Sequence, residues 1–323
     1  MFVASVSRRT VRLAAVTEAQ GRVTLKDQAR FDAADFDSFE TILQRYFSRR
    51  RTEGALFFVA VAGLPVGSTV SSALLPWAID GDSIRAHFSF DVVRLVNEHL
   101  ATARGLFDLP PDALFTINDQ PAVPGNIGLM AVDEVLAEVL MVRRDNGYLS
   151  FLTNGGHTGL APATQLEAEL WQYLYAQRDV VEVGDVVSSA GLVRLVDFYL
   201  ESHGHEVPEW LQNAPDPPSR IVETALAGKQ QVAVDAVDLF VDCFAGEAAN
   251  LALRGATTGG LYLAGRVTTE LLPSLDQGRF LDNYLKRGAA EEKLRPIPIR
   301  VILDSAAPLR GVARMALEFE HPQ

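Results

Sequence analysis

YLSFLTNGGHTGLAP, residues 148–162, is the stretch on which the reading of the fold turns. Tyr148, Leu149, Phe151 and Leu152 form a strand-like run that breaks into Asn154-Gly155-Gly156-His157 and closes on a turn at Pro162. Two adjacent glycines let the backbone pass close to a neighbour, and a histidine follows at once. An isolated N-G-G-H reads as a hairpin turn with a surface histidine. This one is not isolated, because the rest of the chain falls into register around it.

At 323 residues the chain is long enough for two domains with substantial cores. Its 48% hydrophobic and 22% charged content is that of an ordinary soluble globular protein. The formal net charge of −12 disfavours nucleic acid and anionic membrane as partners. The single cysteine, Cys243, lies in an apolar helical pattern, so no disulfide forms within the chain, which suits a reducing compartment. No cationic-then-apolar leader opens the sequence, and the longest apolar run, residues 55–62, is too short to span a bilayer. The expectation is a cytoplasmic protein with no membrane partner.

Outward from the opening stretch, strands over 128–132, 135–142 and 147–152 predict a meander, and helices dominate from 163 to 253. A helix over 235–253 runs into Gly255 and then Thr257-Thr258-Gly259-Gly260, with a strand at 261–264 and a helix to about 275. A charged segment, 286–293, precedes a last strand at 297–303 and a last helix at 309–317. The first half repeats that element order: short strands at 2–6, 10–16 and 22–26, a helix at 36–49, and a strand at 54–62 apolar on both faces. A short helix at 83–88, a strand at 92–96 and a helix at 98–106 complete it.

Six fragments in this order carry a family resemblance: LPW (75–77), VVRLVNEHLATARGL (92–106), SFLTNGGHTGLAP (150–162), SSAGL (188–192), NLALRGATTGGLYLAG (250–265) and GRFLDNYL (278–285). The chain resembles the bacterial glucokinase family, the non-ROK branch of hexokinase-type sugar kinases, over nearly its whole length. The resemblance implies an α/β, two-lobed actin-like (ribonuclease-H-like) fold with a sugar cleft, and a homodimer. It places a small lobe at 1–107 plus 299–323 and a large lobe at 108–298. The family's catalytic Asn-Asp ends a strand and opens a helix. Thr116-Ile117-Asn118-Asp119 imitates that pair but leads into a Pro-rich loop, whereas Asn97-Glu98 has the strand before it and the helix after it. The resemblance therefore assigns the catalytic position to Glu98 and sugar contacts to Asn97, Asn154 and His157.

Set against the family pattern, several positions have changed. Glu98 keeps a carboxylate that could accept a hydroxyl proton, but its extra methylene moves the oxygens by about an ångström, and a shift of that size can cost about a hundredfold. Asn154 and Gly184 stand where the family has glutamates on the sugar. The opening D-x-G-G-T is Ser5-Val6-Ser7-Arg8-Arg9, without a carboxylate for magnesium, and reads as an exposed basic turn. The second phosphate loop is 131–137, where Asp133 and Glu134 would repel a polyanion; as an isolated feature it reads as a solvated hairpin. Gly259 and Gly260 preserve the adenosine-side loop, a role they share with helix–strand packing, and Arg266 replaces the glycine after Gly265. His203 and His205 read as a solvated loop without a third metal ligand, and no metal site is expected.

Three functions remain open from sequence. One is a catalytically degenerate homologue that binds a hexose and regulates or scaffolds, with no cofactor. Another is an active kinase using Mg-ATP on a hexose with Glu98 as general base. The third is an interaction protein with an empty cleft.

Overall fold

Alternation along β1 (Phe2–Val6) separates two layers of core. Ala4 and Val6 pack with Val11, Leu13 and the helix Phe39–Phe47, while Val3 packs with Ala14, Val16 and the helix Ala307–Glu320. Successive strand side chains point to opposite faces, so a strand covered on both sides must be apolar throughout. β4 (Leu56–Val61, LFFVAV) meets that demand: Phe57, Val59 and Val61 face the first layer, Phe58 and Ala60 the second. The helix Phe39–Phe47 starts at Ser38, whose hydroxyl accepts from the Thr41 amide.

This computed structural model describes residues 1–19, 22–145 and 147–320. Its first sheet runs β3 (Arg22–Asp32), β2 (Thr10–Ala19), β1, β4, β7 (Val92–Asn97), antiparallel from β3 to β1 and parallel from β1 to β7. A small hairpin of β5 (Thr69–Val70) and β6 (Ile79–Asp80) intervenes in sequence. The second sheet contains β8 (Leu114–Asn118), β9 (Ile127–Val132), β10 (Leu136–Arg144), β11 (Gly147–Thr153), β12 (Gly260–Ala264) and β13 (Ile299–Ile302), in the order β11-β10-β9-β12-β13-β8. The helix Gln231–Gly255, apolar almost all round, lies in its core with Phe240 and Phe244 fully buried.

Two compact units result, Met1–Ala113 with Asp304–Gln323 and Leu114–Leu303. The sequence reading puts residues 299–323 with the small lobe, but β13 pairs in parallel with β12 and antiparallel with β8, and so belongs to the second unit's sheet. Ile299 and Val301 are fully buried in that sheet's core, which explains the placement. Residues 108–113 likewise stay with the first unit. Of the predicted small lobe, residues 20, 21 and 321–323 lie outside the described residues. β8, unanticipated, takes in Thr116–Asn118 of the Thr116–Asp119 stretch that imitates the catalytic pair. Asn118 is buried there, and its amide donates to the carbonyls of Arg295 (3.1 Å) and Ile297 (2.7 Å).

Candidate functional site

Beyond Thr153 the chain leaves β11 and makes one tight turn. The His157 amide donates to the Asn154 carbonyl (2.9 Å), and the Thr158 amide and hydroxyl both donate to the Gly155 carbonyl. The glycines are demanded by what lies beneath. A Cβ at Gly156 would sit 2.7 Å from the Leu136 carbonyl of β10, and one at Gly155 would sit 1.9 Å from a carboxylate oxygen of Glu138. The close neighbour that the two glycines announce is therefore β10. Packed this way, the turn presents Asn154 and His157 outward, both exposed.

His157 is not alone. Its Nδ1 lies 2.8 Å from Glu182 Oε2, and the backbone on either side is stitched together by Leu160 N to Val181 O and Val183 N to Thr158 O. Glu182 escaped the sequence reading, which looked two residues further along. At that position, Gly184, a Cβ would come within 2.9 Å of the Gly156 carbonyl, so the tight packing of the two loops leaves little room for a side chain. The carboxylate beside His157 comes from position 182. Its only visible signal in sequence was a lone Glu in VVEVGD, too common to single out. The turn brings together one amide, one imidazole and one carboxylate, a set of acceptors and donors suited to hydroxyl groups.

Asn97 and Glu98 belong to the first unit. The Asn97 Oδ1 accepts from the amides of His99 (2.9 Å) and Leu100 (3.2 Å), capping the helix Glu98–Gly105, and its Nδ2 donates to the Gly63 carbonyl (2.9 Å). One Nδ2 hydrogen remains for another acceptor. Glu98 opens the helix, where negative charge is favoured. Its Oε1 lies 3.8 Å from Nε2 of His99, whose imidazole burial pushes down to about 4, so the neighbour is neutral at pH 7.

The phosphate-side segments follow the sequence reading in one case and depart from it in another. Ser7-Arg8-Arg9 is a hairpin turn closed by Ser7 and Thr10, with both arginines exposed. The segment at 133–134, expected as a solvated hairpin, is instead built into the unit. Asp133 Oδ1 accepts from the Arg266 backbone amide (2.6 Å), and its carbonyl takes both the amide and the hydroxyl of Ser189. Burial pushes its carboxyl up to about 6, against the pull of the Arg266 amide. The reason for the departure is Arg266 itself, which begins a short helix directly opposite. Its guanidinium reaches Ser219 (2.6 Å), Glu270 (3.0 Å) and Asp216 (3.5 Å).

The surviving glycines serve packing. A Cβ at Gly259 would lie 2.6 Å from the Gly125 carbonyl, and one at Gly265 would lie 2.3 Å from that of Val132, at a φ of +98°. Gly260 has a φ of +131° at the entry to β12. These contacts require glycine whether or not a nucleotide binds. His203 Nδ1 donates to the Tyr199 carbonyl of its own helix (2.7 Å), and its ring stacks on that of His205.

A sequence model described as Glucokinase matches residues 3–319. A glucokinase from Nostoc sp. (strain PCC 7120) is 29% identical over 309 residues, covering 88% of this chain and 89% of that protein. One from Nostoc punctiforme is 28% identical over 332 residues, covering 96% of each. Among solved structures, a glucokinase from an Antarctic psychrotroph superposes with a TM-score of 0.85 at 23% identity over 98% of both chains. The Balamuthia mandrillaris glucokinase in complex with glucose gives 0.79 at 18%, over 98% of this chain and 93% of that one. The fold is the two-lobed actin-like fold of glucokinases and ROK sugar kinases. With the match spanning all but a few residues at each end, this chain belongs to the glucokinase family.

Proposed function

We propose that this protein binds a hexose through the Asn154–His157 turn and does not transfer phosphate to it from ATP. The observation that carries the reading is the Asp133 carboxylate on the Arg266 amide. In the family register, that is where a glycine-rich phosphate loop meets the adenosine-side loop. Here a protein carboxylate takes the backbone donor at the start of the helix, and Glu134, Asp216 and Glu270 surround it. A carboxylate about 4 Å from a phosphate oxygen opposes it by roughly 1–4 kcal/mol. With Ser5 at the family's metal-binding position, these residues do not fit a magnesium–triphosphate. The glucose complex of a structural neighbour supports a hexose as ligand. A homodimer remains part of this proposal, and sedimentation equilibrium tests it.

A second reading is an active kinase, favoured by the name glucokinase on the relatives above. In it, Glu98 accepts the proton of the sugar hydroxyl from the start of its helix. Separate calorimetric titrations with glucose and with Mg-ATP, followed by a coupled phosphorylation assay, distinguish the two. Heat from glucose alone and no turnover is the expected result. Turnover abolished by Glu98→Gln would establish the second reading in its place.

A further inference from the structure

Directly beneath the Asn154–His157 turn lies a buried pair of carboxyl groups that neither reading uses. Glu138 on β10 is 1% exposed and Glu247 on the helix Gln231–Gly255 is 4% exposed. The two side chains meet at one guanidinium, that of Arg254. Glu247 is held by Arg254 and by the Asn250 amide (2.9 Å). Glu138 is held less completely: Oε2 accepts from the Thr153 hydroxyl (3.2 Å) and lies 3.8 Å from the Arg254 guanidinium, while Oε1 is buried with no partner among the described residues. An ionised carboxylate with one oxygen stranded, facing a second carboxylate across one shared arginine, is an expensive arrangement. A neutral Glu138 donating to Glu247 removes both penalties. Consistent with this, burial first and Glu247 second push the Glu138 carboxyl up to about 7.

The charged groups facing Glu138 are Glu247 and Arg254, both from that helix. β9 carries no titratable side chain, β11 contributes the Thr153 hydroxyl with Tyr148 at its far end, and His157 of the turn is held by Glu182. The Glu138 carboxyl lies flat against Gly155, in the space that a side chain there would fill. The carboxyl therefore has no free space on the side of the turn.

We propose that Glu138 and Glu247 share one proton, and that Glu138 is a positioning residue whose protonated form holds the Asn154–His157 turn in its ligand-receiving shape. This rests on the hexose reading for its functional consequence, though not for its structural one. Loss of the shared proton sets two carboxylates against each other, displaces the turn at Gly155, and weakens hexose capture as pH rises through neutrality.

The test follows the Gly155 and Gly156 amide resonances of the full chain from pH 5.5 to 8.5, with calorimetric glucose titrations at pH 6 and pH 8. In the wild type, both amides should shift in one step near neutrality, and glucose should bind roughly fivefold more weakly at the higher pH, the low end of couplings between linked sites. Glu138→Gln keeps the neutral shape, so its amides should show no step and its affinity no pH dependence. Glu247→Gln relieves the repulsion and should move the step to lower pH, which gives an independent check should the first variant fail to fold. A wild type without the step, a step that survives in Glu138→Gln, or one unmoved in Glu247→Gln overturns the proposal. If the amides behave as expected and glucose gives no heat at either pH, the hexose reading fails while the coupling of the carboxyl pair to the turn stands.

Discussion

The imidazole of His157 and the carboxyl of Asp133 make opposite demands on their surroundings, and each is open to a direct test. His157 is largely exposed and is oriented by Glu182 at 2.8 Å. Removing a donor that meets a ligand hydroxyl costs about 1–3 kcal/mol, roughly 5- to 150-fold in affinity. His157→Ala should therefore weaken glucose binding by about that factor in a calorimetric titration. Glu182→Gln, which keeps a hydrogen-bonding partner, should lose less. Equal affinity in His157→Ala and wild type would remove the turn from the binding site. Asp133 is tested by pH. Its folded carboxyl is raised from 3.8 to about 6, so the folded state holds the proton more tightly than the unfolded chain does. The penalty for ionising it is absent below about pH 4, grows as pH rises through that window, and is constant above about 6. Asp133→Asn keeps an acceptor for the Arg266 amide and has nothing to ionise. Its stability relative to wild type in urea should improve by about 1–2 kcal/mol between pH 4 and 6 and then level off. A difference that is flat with pH would mean the carboxyl is solvated after all.

Among the elements, the helices Glu98–Gly105 and Ala307–Glu320 of the first unit pack backbone to backbone. A Cβ added to Gly311 would fall 1.6 Å from the Ala101 carbonyl, and one on Gly105 would fall 2.9 Å from the Ala307 carbonyl. Neither helix has room to yield, because Ala313 and Ala316 pack into the sheet beneath, with Ala101 in the same cluster. Gly311→Ala should cost about 2–3 kcal/mol by overpacking, read as a lower urea midpoint with an unchanged slope. An unchanged midpoint would show that the helices slide apart freely. Alternating and doubly apolar runs such as GALFFVAVA announced their strands, and Asn97-Glu98 announced a strand end and a helix start, because period and capping are local properties. The membership of β13, the pairing of β8, and the Asp133–Arg266 contact were not legible. Each depends on which distant segment arrives alongside, and a sequence segment carries no mark of its partner. Glu182 was missed for the same reason: it meets His157 only because two loops pack glycine to glycine.

For the whole molecule, ligand linkage gives the widest test, because anything that binds only the folded chain raises its stability. At about a hundred times the dissociation constant that gain is roughly 2.7 kcal/mol, enough to move a melting midpoint by a few degrees. Glucose should do this. On the proposed reading Mg-ATP should not, because the Asp133 carboxylate already takes the Arg266 amide. The net charge of −12 complicates a naive comparison, because magnesium alone screens repulsion among excess carboxylates and can raise the midpoint without any site. The informative measurement is therefore a differential scan with Mg-ATP against one with magnesium chloride at equal ionic strength. Two units with separate cores can also melt in separate steps, so each step must be followed by itself. Glucose is expected to raise the step of the unit Leu114–Leu303, which carries Asn154, His157 and Glu182. A nucleotide-specific rise in either step, beyond the magnesium control, would overturn the proposal that the protein's own carboxylate fills the phosphate side.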